Sequence, residues 1–187
     1  MKKKLLIFGK DGQLGFDLSR VFLPNYDLVV FGREAADITD AATVSDIIFN
    51  EKPELVINAA AYNKVELAET ESKQAFDING VAVGNMAKAC PEARAVFIQI
   101  STDYVFDGTK DFFEENDKTN PINVYGASKL SGEELIKAIA GEYFIIRTSA
   151  VFGVKEGKQK INFVDKIVSL VNAGKDIRVV SDQITSP

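Results

Sequence analysis

The sequence has no histidine and a single cysteine, and these absences exclude several kinds of active site. Without histidine, the chain can form neither a His-centred zinc site nor a Ser-His-Asp triad. The lone cysteine, Cys90, cannot form a disulfide within the chain, and its place beside Pro91 in an apolar helical segment predicts a small packed side chain. This cysteine usage is typical of a reducing compartment, so we expect a cytoplasmic protein. The sequence also shows no cluster of metal-ligating residues.

Long apolar runs and basic blocks are also missing. No apolar stretch approaches the roughly 20 residues that a membrane span needs. The positive N-terminal residues precede only a short apolar run, which predicts a first strand rather than a signal peptide. With a net charge of −5, and Lys2–Lys4 as the longest basic run, we expect no nucleic-acid partner. The 187 residues, 46% hydrophobic and 26% charged, instead predict one folded domain.

Short β-branched and aromatic runs alternate with helically spaced segments along the chain. The predicted strands are 4–8, 27–31, 54–58, 95–100, 142–147 and 176–180. The predicted helices are 13–23, 40–50, 71–89, 125–140 and 161–173. This alternation predicts an α/β fold with a doubly wound, Rossmann-like parallel sheet that is covered by helices on both faces. The irregular segment 101–121 follows the fourth strand, where such sheets bind ligands.

A glycine-rich loop connects the first predicted strand to the first helix and reads Gly9-Lys10-Asp11-Gly12-Gln13-Leu14-Gly15. Glycines at this spacing allow the backbone to approach a pyrophosphate, and the helix N-terminus offers free N–H groups. The loop therefore predicts a dinucleotide site, although the same glycines could serve only a tight turn. Asp11 is unfavourable beside a pyrophosphate unless its carboxylate points to solvent, and Lys10 could offset its charge.

The residues after the second strand bear on the choice between NADP and NAD. Arg33 can bind a 2′-phosphate, which favours NADP. Glu34 could instead bind the ribose, and an exposed arginine at a strand end is also common without any function. Further along the chain, Asp37 and Ile38 could hold the adenine. Three small residues end the third strand and would let a cofactor pass over the backbone, namely Ala59, Ala60 and Ala61.

Tyr125 and Lys129 stand four residues apart in a predicted helix and therefore share a face. A phenol with a pKa of about 10 is a weak acid at neutral pH, and a nearby ammonium lowers that pKa by stabilising the phenolate. The lysine could also bind the nicotinamide ribose. The spacing alone arises by chance in many helices, but Thr102 adds a hydroxyl at the end of the fourth strand. Together the three residues predict a carbonyl reductase.

Six stretches that span essentially the whole chain resemble the extended short-chain dehydrogenase/reductase family, and within it the dTDP-4-dehydrorhamnose reductases. They are FGKDGQLG (8–15), INAAAYNKVELAE (57–69), STDYVFDG (101–108), NVYGASKLSGE (123–133), IIRTS (145–149) and DQITSP (182–187). The resemblance implies reduction, by NADPH or possibly NADH, of the 4-keto group of a dTDP-linked deoxysugar. The product would be dTDP-rhamnose, a precursor of cell-surface polysaccharide.

The same resemblance implies roles for individual residues. The catalytic set is Thr102, Tyr125 and Lys129, and the residues expected to meet the sugar are Thr102, Asp103 and Ala150. The expected cofactor contacts, from the loop spacing and the resemblance together, are Gly9, Lys10, Gly12, Gln13, Leu14, Gly15, Arg33, Asp37, Ile38, Ala59, Ala60, Ala61, Ser101, Tyr125 and Lys129.

Two departures from the family's pattern affect the expected substrate. Ala150 stands where a tryptophan usually faces the sugar, so sugar binding would be weaker, different or supplied by Phe152. Family members also continue into a smaller C-terminal domain that closes over the sugar. We therefore expect residues 1–187 to be the NAD(P)-binding domain, with the substrate-binding domain largely absent. Such a chain would bind cofactor but reduce sugar weakly or not at all, because positioning and water exclusion are lost.

The sequence is compatible with two other functions and with one oligomeric state. Ala150 leaves room for another nucleotide-sugar reductase or epimerase of the extended family. A cofactor-binding module without turnover, similar to the regulatory subunit of methionine adenosyltransferase, is the second alternative. The intact set of Thr102, Tyr125 and Lys129 favours catalysis over that module. A homodimer is compatible with the sequence.

Overall fold

The computed structural model describes residues 2–153 and 162–178 and contains one parallel sheet. Its strands are Lys4–Phe8 (β1), Asp27–Phe31 (β2), Leu55–Asn58 (β3), Val96–Thr102 (β4) and Tyr143–Thr148 (β5). They lie in the order β2-β1-β3-β4-β5, and every pair of neighbours is parallel. β2 lies on one side of β1, whereas β3 and the strands after it lie on the other side. The boundary between β1 and β3 is therefore the switch point of a doubly wound fold. The predicted fold class is confirmed.

The helices follow the predicted pattern with one interruption. They are Gln13–Phe22 (α1), Ala41–Glu51 (α2), Val65–Ala68 (α3), Ser72–Phe76 (α4), Ala82–Ala93 (α5), Val124–Ile139 (α6) and Phe163–Asn172 (α7). The single helix expected at 71–89 is divided, because a π-helical turn, Asp77–Val81, joins α4 to α5. None of the helices in the described ranges is long and apolar enough to cross a membrane.

The sixth predicted strand, 176–180, is not formed over the part that can be described. Residues 176–178 are irregular, and residues 179–180 lie outside the described residues. The motif DQITSP (182–187) also lies outside them. The edge of the described sheet is therefore β5, which pairs with β4 alone.

The central strand β1 is buried on both faces, which explains its unbroken apolar sequence. Leu6 and Phe8 pack into a cluster that includes side chains of α2 and α5, whereas Leu5 and Ile7 pack on the opposite face with α1. Cys90 belongs to the first cluster, and burial raises the pKa of its thiol to about 12. The expectation of a small packed side chain is confirmed.

The buried side chain of Asn79, in the π-helical turn, holds the chain after β3 against α6. Its Oδ1 accepts a hydrogen bond from the backbone N–H of Tyr62 at 2.9 Å. Its Nδ2 donates to the Tyr62 carbonyl and to the Ser128 hydroxyl, each at 2.9 Å. The turn thus fixes α6 relative to the carboxyl end of the sheet.

We expect Asn79→Ala to destabilise the protein by about 2–4 kcal/mol, because it leaves the buried N–H and C=O of Tyr62 without partners. The measurement is urea unfolding followed by circular dichroism. Asn50→Ala, on the exposed side of α2, is the matched control and should change the free energy of unfolding by less than about 0.5 kcal/mol. Equal effects of the two changes would contradict the assigned role of Asn79.

Candidate active site

A cleft of about 480 Å³ opens at the carboxyl ends of β1, β2 and β3. The residues predicted to bind a cofactor that line it are Gly9, Gly12, Gln13, Arg33, Asp37, Ile38, Ala59, Ala60 and Ala61. The cleft therefore lies at the switch point of the sheet, where dinucleotides bind in folds of this class. Residues that the sequence reasoning did not assign to a site also line it, among them Asn63, Ile78 and Asn162. They come from loops and helices whose approach to the cleft depends on the tertiary fold.

Six of the predicted cofactor contacts are not among the residues that line this cleft, and two of them, Tyr125 and Lys129, lie on α6 and are described below. Lys10 is exposed in the glycine loop, while Leu14 and Gly15 lie in the first turn of α1. Ser101 is buried at the end of β4. Their contacts with a cofactor remain predictions.

The glycine loop packs tightly against the segment after β3. Gly9 has φ +91°, and a Cβ there would lie 2.5 Å from the backbone nitrogen of Ala60. The N–H groups of Gly9 and Lys10 both donate to the carbonyl of Phe31, at 2.9 and 3.1 Å, which ties the loop to the end of β2. Gly12 precedes α1, whose first turn has no side-chain cap and no acidic residue. That arrangement leaves the helix N-terminus able to bind an anion such as a pyrophosphate.

The side chain of Gln13 offers an acceptor to a ligand in the cleft. Its Nε2 donates to Asp17 at 2.7 Å, and its Oε1 is buried without a hydrogen-bond partner among the residues that the structure describes. A buried acceptor without a partner is costly. The atom therefore fits a ligand that donates a hydroxyl or amide hydrogen, as the ribose and carboxamide groups of a nicotinamide dinucleotide do.

An ion pair occupies the end of the cleft nearest β2. Arg33 Nε lies 3.3 Å from Asp37 Oδ2, and Asp37 Oδ1 accepts hydrogen bonds from the backbone and hydroxyl of Thr39 at 3.0 and 2.7 Å. The hydrogen bonds from Thr39, assisted by the charge of Arg33, hold the pKa of Asp37 below its usual value. Both oxygens of Asp37 thus have protein partners, so its carboxylate orients Arg33. Its predicted contact with adenine remains a prediction.

The second part of the site lies one strand further along the sheet, at the end of β4. Asn123 caps α6 by accepting a hydrogen bond from the N–H of Gly126 at 2.7 Å. A Cβ at Gly126 would overlap the carbonyl of Tyr104, so the helix packs close to the segment that follows β4. As a result, Tyr125 comes within reach of a hydrogen bond with the side chain of Thr102, whose hydroxyl donates to Asp103 Oδ1 at 3.1 Å and accepts from the N–H of Tyr104 at 3.2 Å. The structure therefore brings this predicted pair together.

The pKa of Tyr125 shifts in the direction opposite to the one expected from the sequence. Burial raises it, the negative charge of Asp103 adds to the rise, and the hydrogen bond with Thr102 only partly opposes it. The charge of Lys129 is not among the causes of the shift, and its Nζ donates to the carbonyl of Ile100 at 2.7 Å. We correct the expectation accordingly: in this structure Tyr125 is a neutral phenol at neutral pH.

Lys129 is itself perturbed, since only 5% of its surface is exposed. Burial lowers the pKa of its amine to about 8, and the nearby carboxylate of Glu133 partly opposes that change. A lysine with such a pKa changes charge close to neutral pH, which is typical of functional sites. Tyr125 and Lys129 occupy successive turns of the same helix face, as their spacing predicted.

Ser101 is buried one residue before Thr102, near the carboxyl end of β4. The hydroxyl of Ser101 donates to the fully buried Glu133 at 2.5 Å. Glu133 also accepts from Arg147 Nε at 3.1 Å and from Arg147 Nη2 at 2.6 Å. The hydroxyl of Ser101 is therefore committed to this internal network. Ala150, predicted to meet the sugar, is exposed just after β5.

The sequence reasoning missed Glu133, although a signal for it existed. It lies four residues after Lys129, so it continues the helix face that carries Tyr125 and Lys129. A glutamate in a helix usually faces solvent, and the network becomes visible only when α6 is placed on the sheet. Within the described residues, no group of three or more side chains could hold a metal ion.

Comparison with known proteins finds matches along nearly the whole chain. Residues 2–187 match the family described as the RmlD substrate binding domain. A dTDP-4-dehydrorhamnose reductase of Burkholderia thailandensis is 38% identical over 185 residues, which are 98% of this chain and 61% of that protein. The spore coat polysaccharide biosynthesis protein SpsK of Bacillus subtilis is 37% identical over 186 residues, covering 98% of this chain and 64% of SpsK.

A solved structure resembles the chain equally well. The dTDP-4-dehydrorhamnose reductase of Bacillus anthracis in complex with NADP superposes with a TM-score of 0.87 at 36% identity, covering 92% of this chain and 61% of that one. The chain thus spans less than two thirds of the length of each of these relatives.

We expect Lys129→Met to stabilise the protein near pH 7, because the native state buries a charged amine. The drop in pKa from 10.5 to about 8 corresponds to about 3 kcal/mol, and the lost hydrogen bond to Ile100 offsets about 1 kcal/mol. The expected net gain in the free energy of unfolding is therefore about 2 kcal/mol.

The gain should shrink as the pH rises from about 8 to about 10.5, since native Lys129 then loses its proton before the unfolded chain does. In that window the wild type becomes more stable relative to the variant. Denaturant unfolding at pH 7 and pH 10 measures the difference. Lys88→Met, exposed on α5, is the control and should show no such pH dependence. A gain that is the same at both pH values would contradict the assigned charge change.

Proposed function

The chain belongs to the RmlD substrate binding domain family, and we propose that it supplies the cofactor-binding and proton-donating part of a nucleotide-sugar reductase. Residues 1–187 act as its NAD(P)-binding domain. The cofactor is NADPH, with NADH as an alternative, and the substrate is dTDP-4-dehydrorhamnose, whose 4-keto group is reduced. The names of the relatives and the NADP complex of the Bacillus anthracis enzyme support this proposal. The reduced, buried Cys90 fits a cytoplasmic site of action.

The observation that carries the proposal is the contact between Tyr125 and Thr102 beside the cleft. β3 and β4 are neighbours, and the Asn58 amide donates to Gln99 Oε1 at 2.9 Å across their carboxyl ends. Asn58 Oδ1 also accepts from the N–H of Ala60 at 3.1 Å, which fixes the cleft wall. A dinucleotide that runs from β2 across the switch point would therefore reach the end of β4. The hydroxyls of Thr102 and Tyr125 lie at that end.

When bound, NADPH supplies the hydride that reduces the carbonyl carbon. The chain's own residues handle the carbonyl oxygen. Thr102 and Tyr125 donate hydrogen bonds to it, and Tyr125 then transfers its phenolic proton to the oxygen, so that an alcohol results. The raised pKa of Tyr125 keeps this proton in place at neutral pH, as a proton donor requires.

Lys129 is proposed to bind the nicotinamide ribose. Its amine lies one helical turn from Tyr125 and keeps its positive charge below a pH of about 8. One of its hydrogens is donated to the carbonyl of Ile100, and an ammonium group has two more to offer a ligand. The proposal therefore assigns Lys129 to holding the cofactor, rather than to lowering the Tyr125 pKa, which burial keeps above its usual value.

Ala150 favours a second candidate function, the reduction of a different nucleotide-linked sugar. It offers no stacking surface where it lies exposed after β5. SpsK, a similar protein, is described as acting in spore coat polysaccharide biosynthesis, which supports a range of products in this family. A panel of nucleotide-linked 4-keto sugars would separate the two candidates.

We expect Tyr125→Phe to slow reduction by at least about 100-fold, because it removes the proton donor, while the affinity for NADPH stays within about threefold. The measurement is NADPH oxidation with dTDP-4-dehydrorhamnose under single-turnover conditions by a version extended past Pro187, because residues 1–187 alone are expected to reduce the sugar weakly or not at all. A fluorescence titration gives the affinity for NADPH. Tyr143→Phe, on the edge strand β5, is the matched control and should leave both quantities unchanged.

Three outcomes would contradict the proposal in different ways. Failure to bind NADPH would reject the cofactor assignment. Oxidation that Tyr125→Phe leaves intact would reject the proton donor. Tight NADPH binding with no oxidation above the level of Tyr125→Phe would favour a cofactor-binding regulatory module.

A further inference from the structure

Asp11 lies in the glycine loop and lines the cleft, and the proposed reaction gives it no role. A Cβ at Gly32 would overlap its carboxylate, so the carboxylate lies directly against the residue that follows β2. The hydrogen bonds from Gly9 and Lys10 to Phe31 hold the loop in that place. The carboxylate of Asp11 therefore lies at the end of β2, although residues 31–33, which end that strand, include no acidic residue.

The carboxylate of Asp11 is available to a ligand. The side chain is exposed, and within residues 2–153 and 162–178 it forms no hydrogen bond and no ion pair. The other acids of this corner are less suitable. Asp37 is occupied by Thr39 and Arg33, and Glu34 is exposed and does not line the cleft.

A cation lies at the same corner. Arg33 follows Gly32 directly, and 74% of its side chain remains exposed even though its Nε contacts Asp37. The corner thus presents one negative and one positive group to whatever occupies the end of the cleft near β2. An acid at the end of β2 typically binds the ribose 2′-hydroxyl of NAD, and an arginine there accommodates the 2′-phosphate of NADP.

We propose that Asp11 and Arg33 together determine the cofactor preference, with opposite effects. Asp11 accepts hydrogen bonds from the adenosine ribose hydroxyls of NADH and repels the 2′-phosphate of NADPH. Arg33 attracts that phosphate. The protein consequently binds both cofactors, and the glycine loop supplies the acid that the second strand lacks. This inference rests on the proposed function, because it concerns the same dinucleotide.

The test compares the dissociation constants of NADPH and NADH by fluorescence titration of the purified protein and its variants. Asp11→Asn removes the charge but keeps an acceptor for the ribose, so we expect NADPH affinity to rise about tenfold, because solvent screens much of the repulsion that is lost at this exposed position. NADH affinity should stay within about threefold. Arg33→Gln should weaken NADPH about tenfold and leave NADH nearly unchanged.

Asp46→Asn, on the exposed face of α2, is the matched control for the change in net charge and should leave the ratio of the two affinities unchanged. Circular dichroism checks that each variant is folded. Asp11→Asn with an unchanged ratio would overturn the role of Asp11 while leaving the proposed function intact. Failure of the wild type to bind either cofactor would reject the proposed function, and this inference with it.

Discussion

Helix α6 lies so close to the carboxyl end of β4 that it buries the amine of Lys129, and the chemistry of the site depends on this contact. The amine donates to the carbonyl of Ile100, which fixes the helix along the strand. Gly126 permits the approach because a side chain there would meet the carbonyl of Tyr104. With the helix in this position, Tyr125 reaches Thr102 and becomes half-buried. Burial then perturbs the pKa of both side chains.

Burying such groups costs stability, and the surrounding structure offsets that cost. Glu133 carries a fully buried carboxylate, which is paired with Arg147 and hydrogen-bonded to Ser101. Arg147 also stacks on Phe106, 4.9 Å from the ring centroid. A charge that is both paired and hydrogen-bonded is tolerated inside a protein, whereas a lone one is not. The network thus joins α6, β4 and β5 around the reacting groups at one end of the sheet.

The sequence predicted what depends on local periodicity. The strands and helices follow from hydrophobic spacing, and the shared face of Tyr125 and Lys129 follows from helix geometry. The π-helical turn at 77–81 was not predictable, because a buried contact of Asn79 with Tyr62 and Ser128 accompanies it. The direction of the Tyr125 pKa shift and the position of Asp11 against Gly32 depend on distances between segments that are remote in sequence.

The central claim is that one dinucleotide connects the glycine-lined cleft to the hydroxyls at the end of β4. A crystal structure of the protein with NADP bound would test it most directly. The account predicts the pyrophosphate at the N-terminus of α1, between Gly9 and Gln13, and the nicotinamide ribose within hydrogen-bonding distance of Tyr125 or Lys129. A nicotinamide that lies away from α6, or a dinucleotide bound outside the cleft, would contradict it.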